Sequence, residues 1–135
     1  MFSDSYLFNY HNFSIAILPW HLPGIFFNLH TMIQLNILYP KTNEALFNWH
    51  YYINVHMPLS VKLQGHYIKA ISIGKGLEDI DAVPACYMAI TIIRYDSVED
   101  FMKAFMPNKD VLQNDMKNYT NVEPVIQFSE IIMDK

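Results

Sequence analysis

The stretch WHYYINVHMPL, from Trp49 to Leu59, sets two histidines and two adjacent tyrosines around a proline. Imidazole titrates near neutrality, at about pH 6.5 when unperturbed, so a positioned histidine can take and return a proton at cellular pH. His56 is the candidate acid or base. Pro58 follows it by two residues, removes a backbone donor and disfavours helical geometry at Met57, so a helix arriving from Trp49 should end, kink or restart there. That break would aim the ring of His56 into the space between helix and sheet. Tyr52 lies four positions before His56 and shares its helical face, which makes it the second candidate catalytic residue, orienting or polarising a substrate oxygen. Tyr51 falls about 100° away, with the core stripe of Phe47 and Val55. The plain alternative is that His56 satisfies buried backbone groups at the break while the tyrosines fill the core. His50 and His56 are six residues apart and do not share an ideal helical face, so no metal site is expected from them.

Elements that could position these residues can be read from period and punctuation. IQLNILYP alternates Ile33, Leu35 and Ile37 with Gln34 and Asn36 before stopping at Pro40, as a strand with one buried face does. Asn43 is placed to cap the following helix, with Glu44 in its first turn and an end at Gly65. HYIKAISIGKG predicts a second strand, Leu77 to Pro84 an acidic loop, and CYMAITIIRY a third strand. Ser97 and Asp100 have capping-box spacing ahead of the apolar stripe Val98, Phe101, Met102 and Phe105. Pro107 should stop that helix, a short helical turn can form over Val111 to Met116, and VIQFSEIIM predicts the last strand. The order βαββαβ is the ferredoxin-like α+β arrangement, a four-stranded antiparallel sheet with both helices on one face. Its other face needs a cover, and a homodimer would supply one.

Composition narrows the function classes. The chain has 135 residues, 52% hydrophobic, 15% aromatic and 16% charged, which suits one domain with a substantial core. Its 13 acidic residues outnumber 9 basic ones for a net charge of -4, and no Lys or Arg cluster offers a nucleic-acid footprint. Cys86 is the only cysteine, so an internal disulfide is excluded and a reducing, cytoplasmic setting is expected. GKG at Gly74 to Gly76 lacks phosphate-loop spacing and no GxGxxG fingerprint is present, so no nicotinamide or flavin cofactor is expected.

The first thirty-one residues differ from the remainder, with no Lys or Arg and a single acid, Asp4. IAILPWHLPGIFF, from Ile15 to Phe27, is broken by prolines and is shorter than the roughly 20 residues a membrane span requires, so no membrane partner is expected. It also lacks the basic region of a secretory signal. Residues 1–31 are therefore read as an atypical extension, either upstream of a natural start at Met32 or a loosely attached tail, or else docked on the domain or a partner through Trp20, Phe26 and Phe27, and residues 32–135 as the domain.

Two segments, YYINVHMPL at Tyr51 to Leu59 and NYTNVEPVIQFSEI at Asn118 to Ile131, resemble the signature regions of the EthD family, named for ethyl tert-butyl ether degradation. The resemblance runs from about Met32 to Met133. By that pattern His56, Pro58 and Leu59 match the HMPL segment and Tyr51 and Tyr52 its aromatic pair, whereas His50 departs from it. The resemblance implies a dimeric α+β barrel and an oxidoreductase or cofactor-independent catabolic enzyme acting on a small, largely apolar oxygenated substrate. His56 and Tyr52 would then be catalytic, with Tyr51, Tyr119 and Gln127 towards the substrate, although Tyr119 and Gln127 serve equally well as dimer contacts. Two other expectations are a carrier of hydrophobic metabolites for a partner oxygenase and a haem-binding protein.

Overall fold

The computed structural model describes residues 31–135, so the reading of residues 1–31 as an extension lies, all but its last residue, outside the described residues. Four strands, β1 (Ile33–Pro40), β2 (Ala70–Lys75), β3 (Tyr87–Tyr95) and β4 (Val125–Glu130), form one antiparallel sheet in the order β2-β3-β1-β4. Between β1 and β2 runs a continuous helix of three segments, α1 (Trp49–Tyr51), a π-helical turn (Tyr52–His56) and α2 (Met57–Gln64). Between β3 and β4 lie α3 (Val98–Phe105) and α4 (Lys109–Asp115), joined by a 3-10 turn at Met106–Asn108. This is the expected ferredoxin-like βαββαβ arrangement.

Pleating divides the sheet residues between two faces. Ile33, Leu35 and Tyr39 of β1 stand opposite Tyr95, Ile93 and Ala89 of β3, and all six are buried beneath the helices. Phe128 of β4 lies across from Leu35 and meets Phe101 of α3 edge-on, 4.9 Å between centroids, which pins the second helical unit to the sheet. The opposite face carries Gln34, Asn36, Gln127 and Ser129, whose side chains are hydrogen-bonded to one another, beside the apolar Leu38, Ile90, Ile92 and Val125. No element among the described residues covers it.

Ser97 caps α3 as its spacing predicts, its hydroxyl accepting from the Asp100 N–H at 3.1 Å. Gly65 ends α2 with φ of 58°, a left-handed geometry that glycine adopts at no steric cost. Three expectations need correction: the cap of the first helix, the place of Phe47 and the start of the second strand. The first helix is capped by Asn48, not Asn43: Asn48 Oδ1 accepts from the Tyr51 N–H at 3.0 Å. Phe47, expected on the helix stripe, instead forms a β-bridge with Thr120, so the helix starts only after Asn48. Of the outcomes expected at Pro58, the helix does not end but restarts as α2 after a widened turn. In a regular α-helix its ring would clash with the carbonyl one turn back. Here the preceding turn is widened, with the Met57 N–H bonding to the Tyr52 carbonyl five residues earlier, and α2 continues. The second strand starts only at Ala70 because Gly65–Tyr67 forms a 3-10 turn.

Candidate functional site

The widened turn buries two side chains, Tyr52 and His56, and points both towards the sheet. Their rings are stacked, 5.5 Å between centroids and 14° between planes. Tyr119, on the segment that leads into β4, meets the imidazole at 4.5 Å and the Tyr52 ring at 4.8 Å, so the three rings form a triangle. His56 is 8% exposed.

The imidazole is oriented by Asp115, the last residue of α4. His56 Nδ1 lies 2.8 Å from Asp115 Oδ2. The other carboxylate oxygen, Oδ1, accepts from the Tyr51 hydroxyl at 2.7 Å and the Asn118 amide at 2.9 Å, and that same amide donates to the Tyr51 oxygen at 3.2 Å. Burial raises the Asp115 carboxyl, but the bonds from Tyr51, His56 and Asn118 outweigh it and hold the group below its ordinary range. Asp115 is therefore a carboxylate at neutral pH. A carboxylate only accepts hydrogen bonds, so Nδ1 carries the proton and Nε2 has the free lone pair. Burial pulls the His56 pKa down, and the bond and charge of Asp115 recover only part of the loss. A neutral imidazole with a basic Nε2, held in one tautomer by a carboxylate, is an arrangement suited to general-base chemistry.

Tyr52 spends its hydroxyl on Thr91 Oγ1, 2.7 Å away, and is 1% exposed. Tyr119 pairs with Tyr39 through their hydroxyls at 2.9 Å. Burial raises the pKa of Tyr39, Tyr52 and Tyr119, so all three phenols stay protonated. Tyr51 packs half-buried against the core, as expected of it, and turns its hydroxyl to Asp115. His56, Tyr51, Tyr52 and Tyr119 thus come together in one cluster, and Gln127 does not. Gln127 alternates with the inward Ile126 and Phe128, stands beside Asn36 and is exposed on the uncovered sheet face. Sequence reasoning missed Asp115 and Thr91. Asp115 precedes Asn118, where the second signature begins, by three residues, and a match extended by one helical turn would have found it.

The second signature segment also works as a clamp. Asn121 accepts from the Leu46 N–H at 2.7 Å and donates to the Glu44 carbonyl at 2.9 Å, while the Thr120 hydroxyl donates to the Leu46 carbonyl at 2.8 Å. Along this seam runs a shallow cleft of about 390 Å³, walled by residues 46–48 and 117–121. Tyr119 and Asn118 line it and also touch the His56–Asp115 pair, but His56 itself does not. Among the described residues, no three or more His, Cys, Asp or Glu converge as a metal site would require, and no helix is long and apolar enough to cross a membrane.

No family model matches the chain, and no curated protein does. Solved structures do. An ethyl tert-butyl ether degradation family protein of Bacillus halodurans C-125 is similar at 16% identity, TM-score 0.53, over 75% of this chain and 99% of that one, a likeness of fold. An EthD-like protein of Ralstonia eutropha JMP134 is similar at 31% identity, TM-score 0.74, over 78% of this chain and 96% of that one. With a relative of that identity matched over nearly its whole length, the chain belongs to the EthD family.

Proposed function

We propose that this EthD family protein is a small-molecule enzyme in which His56 takes and returns a proton at Nε2, its imidazole held by Asp115. The observation that carries this reading is the 2.8 Å bond between Nδ1 and Asp115 Oδ2 around a ring kept neutral by burial. A base of this kind removes a proton from a hydroxyl or from carbon next to a carbonyl, which suits a small, largely apolar oxygenated substrate. The oxidoreductase label belongs to the family resemblance and comes to this chain with it. Tyr51 and Asn118 fix the carboxylate; the Tyr52 and Tyr119 rings, packed on each other, support the imidazole. We place the protein in the cytoplasm as a homodimer paired through the uncovered sheet face, where Leu38, Ile90, Ile92 and Val125 are available for burial.

The test begins with the native mass spectrum of the untagged protein from its own cells, which identifies any bound small molecule. Deuterium incorporation from D2O into that molecule, and into a panel of small ketones and lactones, then reports proton transfer. His56→Gln should lower the rate by about 10²–10⁴-fold while the protein stays folded. A rate unchanged in His56→Gln would remove His56 from the chemistry. One observation favours a second reading, carriage of a metabolite without conversion: the cleft is bounded by Tyr119 and His56 does not line it. Binding without deuterium incorporation would favour the carrier.

A further inference from the structure

The cleft beside the dyad has its own chemistry. At about 390 Å³ it sits near the lower end of ligand pockets, roughly 300–1,000 Å³, and so suits a small ligand. Leu46, Phe47 and the Tyr119 ring give it an apolar floor. Most of its polar side chains are already spent. Asn48 caps α1, Asn118 donates to Asp115 and Tyr51, and Thr120 and Asn121 hold the segment before α1. Lys117 is different: among the described residues its ammonium has no hydrogen bond or ion pair, and it is the one charged side chain lining the cleft. Asp115, two residues earlier, has both oxygens engaged by His56, Tyr51 and Asn118. In a chain of net charge -4 a lone cation on an apolar cleft is a local exception to a field that repels anions.

We propose that this cleft binds a small organic monoanion, its carboxylate on Lys117 and its apolar body along Leu46, Phe47 and Tyr119. The inference rests on the small-molecule reading of this region but not on His56 acting as a base. A single ammonium with no second cation beside it matches one carboxylate better than a doubly charged phosphate. The ligand would stack against the face of the clamp that also carries Tyr119, and so lie next to the dyad.

The experiment is a titration of the ¹⁵N-labelled protein with benzoate and, separately, with its neutral isostere benzamide, followed by amide chemical shifts. Benzoate should shift the amides of residues 117–121 saturably and bind about fivefold more tightly than benzamide, the order of an exposed ion pair, with the preference fading at high salt. Lys117→Gln should abolish the preference and Lys117→Arg preserve it. His56→Gln should leave benzoate binding intact, so a failed proton-transfer reading and a failed anion site give different results. No binding at the cleft, equal binding of the two probes, or an unchanged preference in Lys117→Gln would overturn the proposal.

Discussion

His56 Nδ1 bonds to Asp115 Oδ2 at 2.8 Å and so joins a widened helical turn to the end of α4, fifty-nine residues further on. The pair reverses the usual expectation for a salt-bridged histidine, because the ring pKa is lowered. Burial outweighs the carboxylate. Nitrogen NMR of ring-labelled protein should show the Nδ1–H tautomer and a midpoint below 6.5. Asp115→Asn keeps an acceptor for Nδ1–H but removes the charge, so the His56 midpoint should fall further. A rise in that variant would mean that the carboxylate does not stabilise the imidazolium.

Stability should respond to acid in two stages. The folded-state pKa of His56 lies below its unfolded value near 6.5, so its contribution is complete above that value and is lost as pH falls towards the folded one. Asp115 is likewise depressed, from 3.8, so its contribution is complete above that value and disappears as pH falls through the folded pKa. Urea midpoints measured from pH 8 downwards should first decline below about pH 6.5. His56→Gln should lose that first decline and keep the later one. A wild-type midpoint that rises between pH 6.5 and 5 would contradict the direction of the histidine shift.

Tyr52 and Thr91 form a buried hydroxyl pair, and the two roles open to Tyr52 separate cleanly on it. As a support for the imidazole, Tyr52→Phe should cost about 1–3 kcal/mol by leaving Thr91 unpaired. Thr91→Val should cost a similar amount, and the double variant less than the sum. Proton transfer in folded Tyr52→Phe should then stay near the wild-type rate. If stability is unchanged and turnover collapses, Tyr52 acts on the substrate.

Local signals made most of the fold legible. Alternation of Ile33, Leu35 and Ile37 marks β1, Ser97 and Asp100 mark the start of α3, and Gly65 marks the end of α2. Each depends on neighbours a few residues away. The failures depend on distant partners. Asn43 and Asn48 are equally good caps by residue type, and the bridge from Phe47 to Thr120 decides between them. Pro58 signals an irregularity in the helix, but the π-helical hydrogen bond from Met57 to Tyr52 that absorbs it has no sequence signature. Asp115 looks like a solvated acid at the end of an amphipathic helix until α4 is packed beside His56. Gln127 belongs to the signature region, but period-two alternation sends it to the face opposite Phe128.

The uncovered sheet face yields the last prediction. Leu38 is paired in register with Ile90 on one side and Val125 on the other, and Ile92 follows Ile90 on the same face, which makes a contiguous apolar patch. A stable protein interface removes about 800 Å² from each partner, so the hydrogen-bonded Gln34, Asn36, Gln127 and Ser129 would be enclosed along with the patch. Their mutual bonding lowers the cost of enclosing them. Sedimentation at micromolar concentration should therefore report a dimer, and Ile92→Lys should give a folded monomer because an ammonium would be buried against its own copy. Val111→Lys, at an exposed position of α4, should remain dimeric. A monomeric wild type, or a dimer indifferent to Ile92→Lys, would move the interface elsewhere.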